Sequence, residues 1–240
     1  MQNESGKVKR KNIWPLIVVL IVLVLAAGTY FRKYINFYIP TALIVILLMI
    51  PFFRSFEERK PDARELVTLA IMCAICVMSR VLFTWAPSFK PIAGLITITA
   101  ICFGPSSGFM VGALSMLASN MMFGQGPWTV WQMFAFGMHG LVSGYLAKKG
   151  IFGEKKLVLT AVLSSVLYML MTGPILDTSA IFLMPGALTI KHVLAIYGAG
   201  LPVNLSQAIC TFITVFLLLK PMGAILNRLK VKYGILNQEI

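Results

Sequence analysis

Apolar residues occupy this chain in long unbroken blocks. The blocks run from Trp14 to Tyr30, Phe37 to Phe53, Leu66 to Phe83, Ile92 to Phe103, Gly108 to Met122, Val130 to Leu146, Leu157 to Met171, and from near Leu188 to Leu219. The last is interrupted around Gly198, Gly200 and Pro202. A helix needs about 17–25 apolar residues to cross a bilayer, so most blocks suffice, whereas Ile92–Phe103 is too short for a perpendicular crossing. Backbone in lipid must bond within its own segment, which makes such blocks helical. The dyad alternation of a membrane β-barrel is absent. The pattern predicts an all-α integral membrane protein of about eight transmembrane helices. Residues 1–58 form a two-helix membrane extension, 59–223 a six-helix core, and 224–240 a basic cytoplasmic tail.

Composition agrees with this reading. The chain is 58% hydrophobic and 12% charged, against roughly 25% charged in soluble domains, and its mean hydropathy is +0.86. The net charge of +13 does not indicate nucleic acid, because the cations sit in the gaps between apolar blocks as topology signals do. With the N-terminus in the cytoplasm, sixteen of the 21 Lys and Arg fall in inner segments: Lys7, Lys9, Arg10, Lys11, Arg54, Arg59, Lys60, Arg64, Lys148, Lys149, Lys155, Lys156, Lys220, Arg228, Lys230 and Lys232. Arg32, Lys33, Lys90 and Lys191 fall outside, and Arg80 lies within a span. This bias places both termini in the cytoplasm of a multi-pass cell-membrane protein. The basic start and first apolar block resemble a signal peptide, but the block is long and a second follows at once, so it reads as a retained helix.

The informative loops are the outer ones. They comprise Thr84–Pro91, Phe123–Trp128 and Thr172–Gly186, all rich in Gly, Pro and aromatics and nearly free of charge. Asn120, Gln125 and Gln132 supply neutral amides, and Trp128 and Trp131 supply flat apolar faces with one donor each. Trp128, Trp131 and Gln132 share a helical face by three- and four-residue spacing. Such a set suits a bulky, neutral, hydrogen-bonding ligand, or equally an interfacial tryptophan belt with a tight turn. Arg80 either faces a ligand or snorkels to the outer headgroups, since intramembrane charge is costly. Lys90 is a candidate ligand contact, although it and Asp177 read more simply as surface residues.

Several chemistries are excluded or disfavoured. No Gly-Lys-Ser/Thr phosphate loop occurs, so ATP would have to be hydrolysed by another subunit. Cys73 and Cys76 form a C-x-x-C, but within a membrane helix, where packing is the simpler role. His139 and His192 lack neighbouring ligands for a metal site and read as packed or hydrogen-bonded histidines. Asp177 is the single acid outside the inner segments, which leaves an intramembrane lipid-modifying enzyme without paired carboxylates or a nucleophile–base pair. No cofactor is implied. Ala70 and Ala74 give helix three a small-residue face on which another helix could pack.

Lys90-Pro91, Gly104, Gly108-Phe109, Gly112-Ala113, Ser119-Asn120, the run Phe123-Gly-Gln-Gly-Pro-Trp-Thr129 and Trp131-Gln-Met-Phe-Ala-Phe-Gly137 resemble the S components of energy-coupling factor (ECF) vitamin transporters. The likeness covers about Ala63 to Leu219 and is greatest to cobalamin-specific members; the block from Phe123 to Gly137 is its specific part. It implies a six-helix substrate-binding subunit that captures a vitamin outside, cobalamin or a cobinamide precursor being first choice and another vitamin the alternative. It implies partnership with a T component and two ATPase subunits, with Ala70 and Ala74 at the T-component contact. The two N-terminal spans depart from the six-helix pattern.

Overall fold

The computed structural model describes residues 13–30, 38–86, 88–183 and 189–234. The basic cluster Lys7–Lys11, Arg32, Lys33, Phe37, Pro87, the stretch 184–188 and the residues after Gly234 lie outside the described residues, as do the sequence readings that fall on them. Among the described residues the regular structure is entirely helical: α1 (Trp14–Tyr30), α2 (Tyr38–Glu58), α3 (Ala63–Leu82), α4 (Ile92–Phe103), α5 (Pro105–Phe123), α6 (Trp128–Lys148), α7 (Leu157–Leu167), α8 (Gly173–Leu183) and α9 (Ile190–Tyr233). A short 3₁₀ turn, Glu154–Lys156, leads into α7, and a π-helical turn, Tyr168–Thr172, joins α7 to α8 without a break. Glu154–Leu183 is thus one 30-residue rod, and with it the helices form eight rods at the eight positions the apolar blocks mark. Four rods, Tyr38–Glu58, Ala63–Leu82, Glu154–Leu183 and Ile190–Tyr233, are long and apolar enough to cross a membrane.

Two segments differ from the sequence reading. The stretch from Thr172 onward reads as an outer loop, yet it continues as α8. Pro174 has no N–H to donate, and the wide π turn just before it lets the chain pass that position without breaking. The interruption expected near Gly198, Gly200 and Pro202 is also absent, and α9 runs on through Leu219 to Tyr233. Lipid offers no water to the backbone groups a break would free, which favours the intact helix.

The bundle is built around α4. Every α4 residue except Ile101 is buried, as expected of a helix apolar on all sides. Its twelve residues span only about 18 Å, so it lies inside a sleeve of α3, α5, α6 and α9. The closest crossing is α5 on α6. A Cβ on Gly140 would strike the backbone of Gly108, and one on Gly108 would strike that of Gly140. Only residues without side chains allow this approach, the small-residue packing used where lipid removes any hydrophobic drive between helices. α2 docks on the same pair, with Val45 and Met49 packed beside Phe109, Ala113 and Trp131, and α1 packs on α2.

Candidate functional site

The two ends of the bundle have opposite character. At one end lie Arg59, Arg64, Lys148 and Lys230: Lys148 and Lys230 line a common cavity of about 220 Å³, Arg64 stacks over Tyr233 at 5.6 Å, and Arg59 bonds Glu65 and Ser107. At the other, the connections α3–α4 and α5–α6 meet. Gly124, which closes α5 there, has φ +100, a conformation that glycine adopts without strain. Gln125 then holds the turn, donating from Nε2 to the Leu117 carbonyl (3.0 Å) and accepting from Thr129 Oγ1 (2.9 Å).

A cavity of about 190 Å³ opens near this loop end, lined by residues of α3, α4, α5, α6, α8, α9 and the π turn. Its polar wall groups are Arg80, Lys90, Gln132, Tyr168, Asp177, Asn204 and Gln207. Arg80 turns inward. Its Nη1 donates to Ser119 Oγ, to Asn120 Oδ1 (3.2 Å) and toward Met116 Sδ (3.5 Å), and its guanidinium lies 5.2 Å from the Phe123 ring centre. Interior hydrogen bonds therefore hold a side chain that could have reached for headgroups. Asn120, buried, donates in turn to Gln132 Oε1 (2.8 Å) and Thr129 Oγ1 (3.0 Å). That chain of bonds locks α3, α5 and α6 together around the cavity.

Lys90 stands at the start of α4, its Nζ donating to the Phe83 carbonyl (3.1 Å) and its backbone N–H to Gln207 Oε1 (3.1 Å). Partial burial, followed by the positive charge of Arg80, holds its ammonium below the ordinary lysine range. Asp177 Oδ2 accepts from Asn204 Nδ2 at 2.7 Å. Gly200 gives this carboxylate room, since any Cβ there would strike it.

Of the residues singled out from sequence, Arg80, Lys90 and Gln132 line the cavity, and Asn120 stands directly behind Arg80 and Gln132. Gln125 closes the adjacent turn. The two tryptophans go elsewhere. Trp131 is buried against Phe182, ring centres 5.9 Å apart, in the cluster under α2, because one residue along a helix turns the side chain by about 100° away from Gln132. Trp128 is 42% exposed and folds over Gly126. Asn204 and Gln207, which the sequence offers either as cavity-lining amides or as bonds to another helix, line the wall from α9, and Asp177 joins them from α8. Asp177 is legible in the sequence only as the lone acid of the outer half, and nothing in its neighbours announces a cavity wall. Ala70 and Ala74 are exposed on the outside of α3. His139 is buried deeper, bonded through Nε2 to Thr97 Oγ1 and through Nδ1 to Thr172 Oγ1, both at 2.9 Å, so both ring nitrogens are satisfied.

Residues 60–224 match the family model of the ECF-type riboflavin transporter S component. The chain belongs to this family. It is thus an S component, a transporter's substrate-binding subunit and not an enzyme. No curated protein and no solved structure matches it significantly. The matched segment contains the whole wall of the 190 Å³ cavity and the α5–α6 crossing that supports it.

Proposed function

We propose that this S component captures a vitamin in the loop-end cavity and that this end faces the cell exterior, with both termini in the cytoplasm. The observation that carries the reading is the cavity itself, a concave site with a few convergent polar groups in an otherwise apolar bundle. It lies opposite the lysine- and arginine-rich end, and cations favour the cytoplasmic side. The energy for import comes from two ATPase subunits acting through a T component, which approaches the exposed Ala70 and Ala74 on α3, where small side chains allow close helix contact.

Riboflavin is the ligand we assign first. The family is named for it, and a cavity of about 190 Å³ is below the usual range of about 300–1,000 Å³. Either vitamin requires the cavity to widen, and a compact flat ring requires less widening than a corrinoid. Arg80, Lys90 and Gln132 bond its polar edge, Asn120 positions Arg80 and Gln132, and Gln125 holds the adjacent turn. A corrinoid, favoured by the likeness of Phe123–Gly137 to cobalamin-specific members, is several times larger and requires the α3–α4 and α5–α6 loops to part.

Titration of the purified chain in lipid nanodiscs with riboflavin and with cobalamin tests this reading. Tighter binding of riboflavin is expected; tighter cobalamin binding reassigns the ligand, and binding of neither refutes the assignment. The double variant Ala70→Leu/Ala74→Leu is expected to keep ligand affinity and lose co-purification with the T component and ATPases. Normal co-purification would remove α3 as the contact face.

A further inference from the structure

The loop-end cavity carries two cations, Arg80 and Lys90, and one carboxylate, Asp177, and among the described residues neither Arg80 nor Asp177 forms an ion pair. Arg80 bonds only neutral groups, those of Ser119, Asn120 and Met116. Asp177 accepts only from the neutral amide of Asn204. The ion pairs Arg54–Glu58 and Arg59–Glu65 are at the far end of the bundle. A charge withdrawn from water is costly unless it is paired, and within a membrane such groups mark sites of function. The two are carried by separate helix groups: Arg80 belongs to the α3–α5–α6 side, beside Gln132, and Asp177 to the α8–α9 side, beside Asn204 and Gln207. Gln207 spends its carbonyl oxygen on the Lys90 N–H, leaving its amide nitrogen to donate.

We propose that these unpaired charges read the two ends of one bipolar ligand. Arg80, with Lys90 next to it, takes the hydrogen-bond-acceptor edge of a flat ring. Asp177, held in place by Asn204, takes the hydroxyl or N–H donors of an attached arm. The inference rests on the assignment of the cavity as the vitamin site and adds its selectivity: an arm rich in hydroxyls is accepted, and an arm ending in phosphate is repelled by the Asp177 carboxylate.

The test compares wild type with the isosteric variant Asp177→Asn, using riboflavin, the same flavin with its arm phosphorylated, and the flavin ring without its hydroxylated arm. In wild type, riboflavin should bind about 10- to 100-fold more tightly than the phosphorylated form. The variant should lose about 10- to 100-fold in riboflavin affinity, hold the bare ring within about twofold and narrow the discrimination against phosphate. Ligand-free Asp177→Asn should melt about 2–4 °C higher than wild type, since an uncompensated charge has been removed. Equal losses for riboflavin and the bare ring, no loss for either, or a lower melting temperature would each overturn the proposal. Should wild type bind none of the three flavins, the riboflavin assignment fails, and the melting comparison still decides: a rise supports an uncompensated Asp177, and a fall or no change refutes it.

Discussion

Two arginines at opposite ends of the bundle face the same difficulty and resolve it differently. Arg59, at the start of the α2–α3 connection, donates through Nη2 to Glu65 and to Ser107 Oγ (2.9 Å), with Ser107 also donating to Glu65 (3.1 Å), while its guanidinium lies 5.3 Å from the Phe56 ring centre. Glu65 is only 3% exposed. This network joins Phe56 of α2 to α3 and α5, and its charges cancel internally. Arg80 is bonded as fully, yet its partners are neutral and its charge stays uncancelled beside a cavity. A paired buried charge is a structural rivet, whereas an unpaired one beside empty space is held ready for something that arrives.

The contrast can be broken most severely at Glu65. Glu65→Ala leaves the Arg59 guanidinium buried without a counter-charge, a change that costs about 3–5 kcal/mol when one partner of a buried pair is removed. Unfolding in nanodiscs should register it, with riboflavin affinity of the surviving folded protein within about twofold of wild type; a loss below about 1 kcal/mol would mean the pair is not a rivet. Arg80→Ala is the converse experiment. It should reduce riboflavin affinity by about 10- to 150-fold, the range for a hydrogen bond to a charged group, and destabilise the protein less than Glu65→Ala does. A variant that unfolds at the cost of Glu65→Ala but binds normally would reverse the roles. The smallest effect is expected at Trp128, which is exposed and lines no cavity wall: Trp128→Ala should alter stability by less than about 0.5 kcal/mol and riboflavin affinity by less than about threefold. A larger loss of affinity would move the ligand outward from Arg80 onto the loop.

Arg80 and Gln132 could be picked out in advance because a charge or an amide in an apolar block is conspicuous wherever the helix happens to face. Asp177 could not, since its segment reads as a Gly- and Pro-bearing loop; the π turn at Tyr168–Thr172 carries the helix past Pro174 and delivers the carboxylate to Asn204 on α9. Trp131 illustrates the reverse error. Its spacing groups it with Trp128 and Gln132, but α2 and Phe182 on α8 take up its ring, and no local pattern on α6 reveals that a helix so much earlier in the chain will pack there.

The amino-acid order dictates the helical rods and the segregation of cations, because lipid admits only internally bonded backbone and because charge asymmetry acts on each connection separately. The glycine crossing of α5 on α6, the burial of α4, the inward turn of Arg80 and the meeting of Asp177 with Asn204 arise when the rods assemble. Apolar surfaces are nearly interchangeable in a bilayer, so the choice of which faces touch falls to side-chain size and a few long-range hydrogen bonds. These join residues as far apart in the chain as Arg80 and Asn120 or Lys90 and Gln207.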